Sequence, residues 1–301
     1  MKRPLVSVLF VAVSIVAALA LMMGGGRTPA PRLPFNIEHE LRKHRSGQVP
    51  VILYHGGPVM ISGKSLYLIY YGAFTATQHS ILDTFLQNLG GSGAFKVNSE
   101  YYNAQNVFIQ NILNYSPAMD SYTDNYSSGT KLSGSFASTI VGRAISGGHL
   151  PVDANGIYIL TISPDVSVPN STWCAYHTHS TSIVSGTDIK YAVAPDPPPS
   201  FYSSCSGNVA NYGDTTSPNG DIGMDVVADD LIHEISETVT DPDLSAWYTK
   251  NGAENGDLCN FVYGTTFLAP NGSHANHTFG NRNYLVQEIW DRVGSFCALS
   301  H

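Results

Sequence analysis

Apolar positions fall in short runs whose period changes along the chain. Residues 4–23 form an uncharged, apolar run of 20 behind Lys2 and Arg3, with the small-residue triplet Ala18-Leu19-Ala20 and then Gly24-Gly25-Gly26. A basic start, an apolar middle and small residues predict a secretory signal peptide over residues 1–26. The run is also long enough to span a bilayer, so an uncleaved signal anchor is the alternative. Either way the bulk of the chain is translocated. Residues 27–50 are polar, basic and scattered with proline, and read as a linker. A single folded domain is expected over residues 51–301, a size that suits one large hydrophobic core.

Within that domain Val51-Ile52-Leu53-Tyr54 predicts a short strand, stopped by His55-Gly56-Gly57-Pro58. Residues 65–71 place Leu66, Leu68 and Tyr70 on one face and Tyr67, Ile69 and Tyr71 on the other, the pattern of a central strand buried on both sides. Thr75-Ala76-Thr77-Gln78 is a capping box that opens a helix with the apolar stripe Ile81, Leu82, Phe85, Leu86 and Leu89. Residues 137–145 have a helical period, and residues 156–162 and 188–193 read as strands. The run Pro195-Asp196-Pro197-Pro198-Pro199 is expected to be extended surface chain. A helix is predicted over residues 225–240, ended by Pro242. Residues 261–268 and 284–289 are expected as strands of a β-rich tail. The fold class is therefore α/β to α+β: a mixed central sheet, flanking helices and a disulfide-pinned β-rich C-terminal part. Residues 99–115, rich in Tyr and Asn, give no clear period.

Charged residues make up 13% of the chain and its formal net charge is −8, becoming −10 if Lys2 and Arg3 are removed with the leader. No basic stripe exists to neutralise phosphates, so nucleic acid is excluded as a partner. Five N-x-S/T sequons, at Asn114, Asn125, Asn170, Asn271 and Asn276, fit a secreted glycoprotein. Cys174, Cys205, Cys259 and Cys297 all lie in the C-terminal half, and an even count in an exported chain favours two disulfides. Three pairings are possible; sequence order favours Cys174 with Cys205 and Cys259 with Cys297.

The chemistry concentrates in His233-Glu234-Ile235-Ser236-Glu237-Thr238-Val239-Thr240-Asp241-Pro242. At four-residue spacing His233, Glu237 and Asp241 share one helix face. The stretch resembles H-E-x-x-H, with Glu237 in place of the second histidine; a glutamate oxygen is also a zinc ligand. His233 and Glu237 are thus candidate zinc ligands and Glu234 the candidate general base, acting on metal-bound water. The third ligand stays open among Glu254, Asp241 and Asp257, in that order of preference. Asp241, just before Pro242, competes as a turn-forming carboxylate, and Asp257 as a structural one. The competing reading of the whole stretch is a solvated acidic helix face. His177 and His179 alternate as strand residues and are able to face one side, but such a pair beside a cysteine more often hydrogen-bonds than binds metal. His55 reads as a turn residue. No G-x-S-x-G supports a serine hydrolase.

Several segments together, residues 51–60 (Val-Ile-Leu-Tyr-His-Gly-Gly-Pro-Val-Met), 68–74, 156–161 and 218–225, resemble the exordium family, also called phosphate-induced protein 1. The resemblance runs in order from about Val51 to Cys297, and Tyr54-His55-Gly56-Gly57-Pro58 is its most specific piece. It implies secretion to the cell wall or apoplast and a role in growth and nutritional responses, without an attached activity. The chain departs from the plant members, whose counterpart of the helix lacks the His-Glu pair. It is similar instead to microbial relatives at His233, Glu234, Glu237, Thr240, Asp241, Pro242, Trp247, Tyr248, Glu254, Gly256, Asp257 and Cys259. Two classes of function follow. One is a secreted zinc-dependent hydrolase acting on a peptide substrate; the other is a non-catalytic cell-wall or signalling protein that binds extracellular components and keeps a relic metal site.

Overall fold

The computed structural model describes residues 50–169 and 172–300. The expected leader, most of the linker and Asn170 lie outside the described residues. A central sheet of six strands is built from β2 (Lys64–Tyr71), β3 (Leu113–Asn114), β4 (Ser121–Asp124), β5 (Gly156–Ile162), β6 (Tyr176–Val184) and β7 (Thr187–Val193). The short β1 (Ile52–Tyr54) stays outside it and pairs with β8 (Trp247–Thr249). Both β3 and β4 flank β2, and the order continues β2-β5-β7-β6. All neighbours run parallel except β6, which is antiparallel to β7 and forms one edge of the sheet.

Three helices among the described residues exceed ten residues: α1 (Ala76–Leu89), α2 (Phe136–Ser146) and α3 (Ile222–Thr240). The strand patterns dictate where they go. Leu66, Leu68 and Tyr70 of β2 join Ile157 and Ile159 of β5 in one apolar cluster with the buried residues of α1 and α3. Tyr67, Ile69 and Tyr71 join Tyr158, Leu160 and Ile162 in a second cluster with α2. Apolar side chains on both faces of a strand need a layer on each side, and the result is a three-layer α/β arrangement. The capping box of α1 forms as its sequence predicts, with the Thr75 hydroxyl accepting from the Gln78 backbone N–H and the Gln78 side chain accepting from the Thr75 N–H.

The C-terminal part departs from expectation. Of residues 261–268 only Phe267–Leu268 is a strand, because Phe261 adopts a left-handed φ of 58° that breaks extended geometry. Residues 284–289 divide between the ends of two small hairpins, Arg282–Tyr284 with His277–Phe279 and Ile289–Asp291 with Phe296–Ala298. Disulfides join Cys174 to Cys205 and Cys259 to Cys297, and the second pins the last hairpin. Residues 195–199 are not simple surface chain: Asp196 and Pro197 are buried and only the last residues of the run are exposed. The sequon residues Asn114, Asn125 and Asn271 are exposed. Asn276 is not available in the same way, since its amide donates to both Tyr263 O (2.9 Å) and Val286 O (2.6 Å), and a glycan would replace one of those protons. No helix among the described residues is long and apolar enough to cross a membrane.

Candidate metal centre

Helix α3 starts three residues earlier than its apolar period suggests, because Asp221 caps it by accepting from the Met224 N–H (3.1 Å). From Gly223 to Thr240 every residue is buried. The solvated acidic face is therefore overturned. Asp225, Asp229, His233 and Glu237 recur every four residues and form a polar stripe turned inward, and each is met by the chain around it. Asp225 accepts from Asn219 (2.9 Å from the backbone). Asp229 accepts from the Tyr263 hydroxyl (2.7 Å) and the Gln287 N–H (2.7 Å). Glu237 Oε1 accepts from the Asp257 N–H (3.0 Å). Burial of such groups is tolerated because each is hydrogen-bonded.

Around the second half of the stripe the donor atoms converge. Nε2 of His233 lies 3.0 Å from Glu237 Oε1 and 3.7 Å from Asp257 Oδ1. On the other side of Glu237, Oε2 lies 3.5 Å from His177 Nε2, which is 3.3 Å from Glu254 Oε2. Glu237 is thus shared by two compact groups of metal-type donors, His177-Glu237-Glu254 and His233-Glu234-Glu237. His177, His233, Glu234, Glu237 and Glu254 have zero solvent exposure. They come from three places: β6 carries His177, α3 carries His233, Glu234 and Glu237, and the loop after β8 carries Glu254.

The preferred third position, Glu254, is in the cluster. Asp257 stands at its edge, its Oδ2 accepting from the Glu254 N–H (3.1 Å). Asp241 is turned away. Its Oδ1 accepts from the Ser245 (2.5 Å) and Ala246 (2.6 Å) N–H groups, so it closes the turn after Pro242, as its position before proline allows. His177 joins the cluster although it reads from sequence as a hydrogen-bonding residue. The available signal was the strand alternation that sets His177 and His179 on one face. His179 belongs to a separate, half-buried network with Asp188 (2.9 Å) and Asp243, in which Lys190 lies 3.1 Å from Asp188 and 3.5 Å from Asp243 and supplies the positive charge. His55 is exposed, stacks on Tyr248 at 3.7 Å and takes no part in the cluster.

Several features fit this cluster to a cation. Nδ1 of His233 contacts Gln287 Oε1 at 3.1 Å. A carbonyl-type oxygen accepts only, so Nδ1 carries a proton, and Nε2, which faces Glu237, is left for a second proton or for a metal. Two acceptors 3.0 Å apart need a proton or a metal between them. Burial by itself lowers the His233 pKa, but Glu237, Glu234 and Asp257 more than reverse this and hold the imidazole up at about 10. Burial likewise pushes Glu237 up, and His233 and His177 outweigh it and pull it down. Within each group the contacts, 3.0 Å for His233 with Glu237 and 3.3 and 3.5 Å for His177 with Glu254 and Glu237, are near the roughly 3.3 Å spacing of two ligand atoms on one tetrahedral zinc with bonds of about 2.0–2.1 Å. Gly256 leaves the cradle free: a Cβ there would meet the His233 ring at 2.9 Å and Glu237 Oε1 at 3.1 Å.

Residues 52–300 match the family described as the phosphate-induced protein 1 conserved region. The chain belongs to the phosphate-induced protein 1 family. Among curated proteins this family member is similar to Protein EXORDIUM-like 3 of Arabidopsis thaliana, at 25% identity over 81% of this chain and 81% of that protein. It is also similar to Protein EXORDIUM-like 5 of the same plant, at 25% identity over 87% of this chain and 82% of that protein. No solved structure matches it.

Proposed function

We propose that this phosphate-induced protein 1 family member is an exported, extracellular protein whose buried histidine-carboxylate cluster holds a divalent metal, zinc being the ion that its mixed nitrogen and oxygen donors suit. The observation that carries this reading is the convergence of His177, His233, Glu237 and Glu254, all fully buried, with Glu237 shared between the two groups. His233 would be oriented by Gln287, an outer partner of the kind that fixes a ligating imidazole. Export is supported by the two disulfides, which suit an oxidising compartment.

The depth of the cluster favours a binding protein, with the metal tying β6, α3 and the loop after β8 together. Catalytic zinc keeps an open coordination position, and here His177, His233, Glu234, Glu237 and Glu254 are all shut off from solvent. The hydrolase reading draws on one specific observation, the place of Glu234 in the same group as His233 and Glu237. A bound zinc would supply an activated water, and Glu234 would take its proton.

Elemental analysis of the purified secreted protein tests the metal. One zinc per chain is expected, lost in His177→Ala, His233→Ala and Glu237→Ala and kept in Glu234→Gln. A folded wild-type protein free of metal after purification without chelators would sink the proposal. Peptide hydrolysis by the zinc-loaded protein that falls about 100-fold or more in Glu234→Gln would move the function to the hydrolase class.

A further inference from the structure

A second site, independent of the metal cluster, lies at the carboxyl ends of the parallel strands β5 and β7. Crevices outside the carboxyl ends of such strands are where open α/β sheets bind ligands. Here β5 runs out into Ser163, Pro164 and Asp165, and β7 into Pro195, Asp196 and Pro197, and a cavity of about 310 Å³ opens between them. That volume falls at the small end of ligand pockets, about 300 to 1,000 Å³. Trp173 and the Cys174–Cys205 disulfide close the other side.

The lining selects the ligand. It holds two carboxylates, Asp165 and Asp196, and no Lys, Arg or His, so phosphates and other anions are repelled. Neither carboxylate belongs to a group of donors close enough to hold a metal among the described residues. Asp165 is exposed and held in place, accepting from the Ser163 hydroxyl (2.6 Å) and the Tyr126 hydroxyl (2.8 Å). Asp196 is 4% exposed; its Oδ2 accepts from Gln78 at the start of α1 (3.3 Å), and its carboxylate packs on the first turn of α3, where a Cβ at Gly223 would overlap it. Trp173 is half-buried, edge-to-face with Tyr176 at 4.8 Å, and adds an indole to walls that also carry Phe201, prolines and aliphatic side chains. An apolar aromatic surface beside fixed hydroxyl-accepting carboxylates matches a ligand with an apolar ring face and a rim of hydroxyls.

We infer that this pocket binds a neutral saccharide unit, with a sugar ring against Trp173 and sugar hydroxyls donating to Asp165 and Asp196. The two aspartates differ in charge state: hydroxyl donors hold Asp165 low, whereas burial, with Asp221 nearby, raises Asp196 to about 7. In mildly acid surroundings Asp196 is thus able to donate as well as accept.

Calorimetric titration with cellohexaose, xylohexaose, mannohexaose and laminarihexaose, with tri-galacturonate as the anionic control, tests the inference. At least one neutral oligosaccharide should bind with a Kd of about 1 mM or tighter, and the uronate should not. Trp173→Ala and Asp165→Asn should each weaken binding about tenfold or more with unchanged metal content, and the Asp165 variant should keep its melting temperature. The Asp165 variant guards against misfolding, since that side chain is on the surface. Absence of binding by all four neutral sugars, tighter binding of the uronate, or affinity that survives both substitutions overturns the inference. The metal reading stands on other residues, and His233→Ala should leave sugar affinity as it is.

Discussion

At the residue scale, side chains that look alike in sequence divide by what they meet. Glu237 lies in the last turn of α3 and Asp241 caps its end four residues on, yet Asp241 satisfies the backbone N–H groups of a turn and Glu237 stands between two imidazoles. Gly256 is decisive in a quieter way, since its missing side chain lets the chain lie against His233 and Glu237. Gly256→Ala should therefore fold but hold zinc about 10- to 100-fold more weakly, the range seen when the surroundings of metal ligands are disturbed. Competition against a chromophoric chelator measures this. Affinity equal to wild type would mean that the ion does not sit in this cradle.

At the scale of elements, α3 is the axis of the protein. Its apolar residues pack on the sheet, while the stripe Asp225-Asp229-His233-Glu237 holds the preceding turn through Asn219 and the irregular C-terminal chain through Tyr263, Gln287 and Asp257. The Cys259–Cys297 disulfide then fastens the segment that carries Glu254 and Asp257 to the last hairpin. Replacing both cysteines with serine should cost about 4 kcal/mol by the loop-closure argument, read as a lower urea midpoint. It should also make the metal easier to strip, because the loop holding Glu254 is loosened. The matching change at Cys174 and Cys205 should lower stability by a similar amount and leave chelator resistance unchanged; equal metal lability in both variants would contradict this division of roles.

For the whole molecule, buried carboxylates set how stability depends on pH. Burial, reinforced by Asp221, raises Asp196 from 3.8 to about 7. Its folded-state pKa is above the unfolded value, so its contribution is fully present below about pH 4 and is lost as pH rises to about 7. Gln78 is the polar side chain that meets it from α1, and Asp221 the charge that faces it from the cap of α3. Asp196→Asn should consequently raise the melting temperature relative to wild type by an amount that grows between pH 4 and pH 7.5. Thermal melts across that range check it, and a constant difference would show that Asp196 is charged throughout.

The sequence by itself determined whatever depends on near neighbours in the chain. The two-sided burial of β2, the capping box of α1, the halt at Pro242 and the placing of His233 and Glu237 on one helix face all follow from near neighbours in the chain and from periods of two and 3.6 residues, which are local properties of the backbone. The disulfide pairs were legible too, because each closes a loop between successive cysteines. Only the tertiary structure decided that His177 on β6 faces Glu237 and Glu254, that Asp241 leaves the cluster, and that Asp196 lines a pocket within a proline run that reads as surface. It also decided that residues 261–268 are mostly not a strand, since Phe261 turns left-handed there and the Tyr263 hydroxyl is drawn to Asp229 of α3. A site is a set of atoms brought together by packing, and no period along the chain records which elements will be neighbours in space.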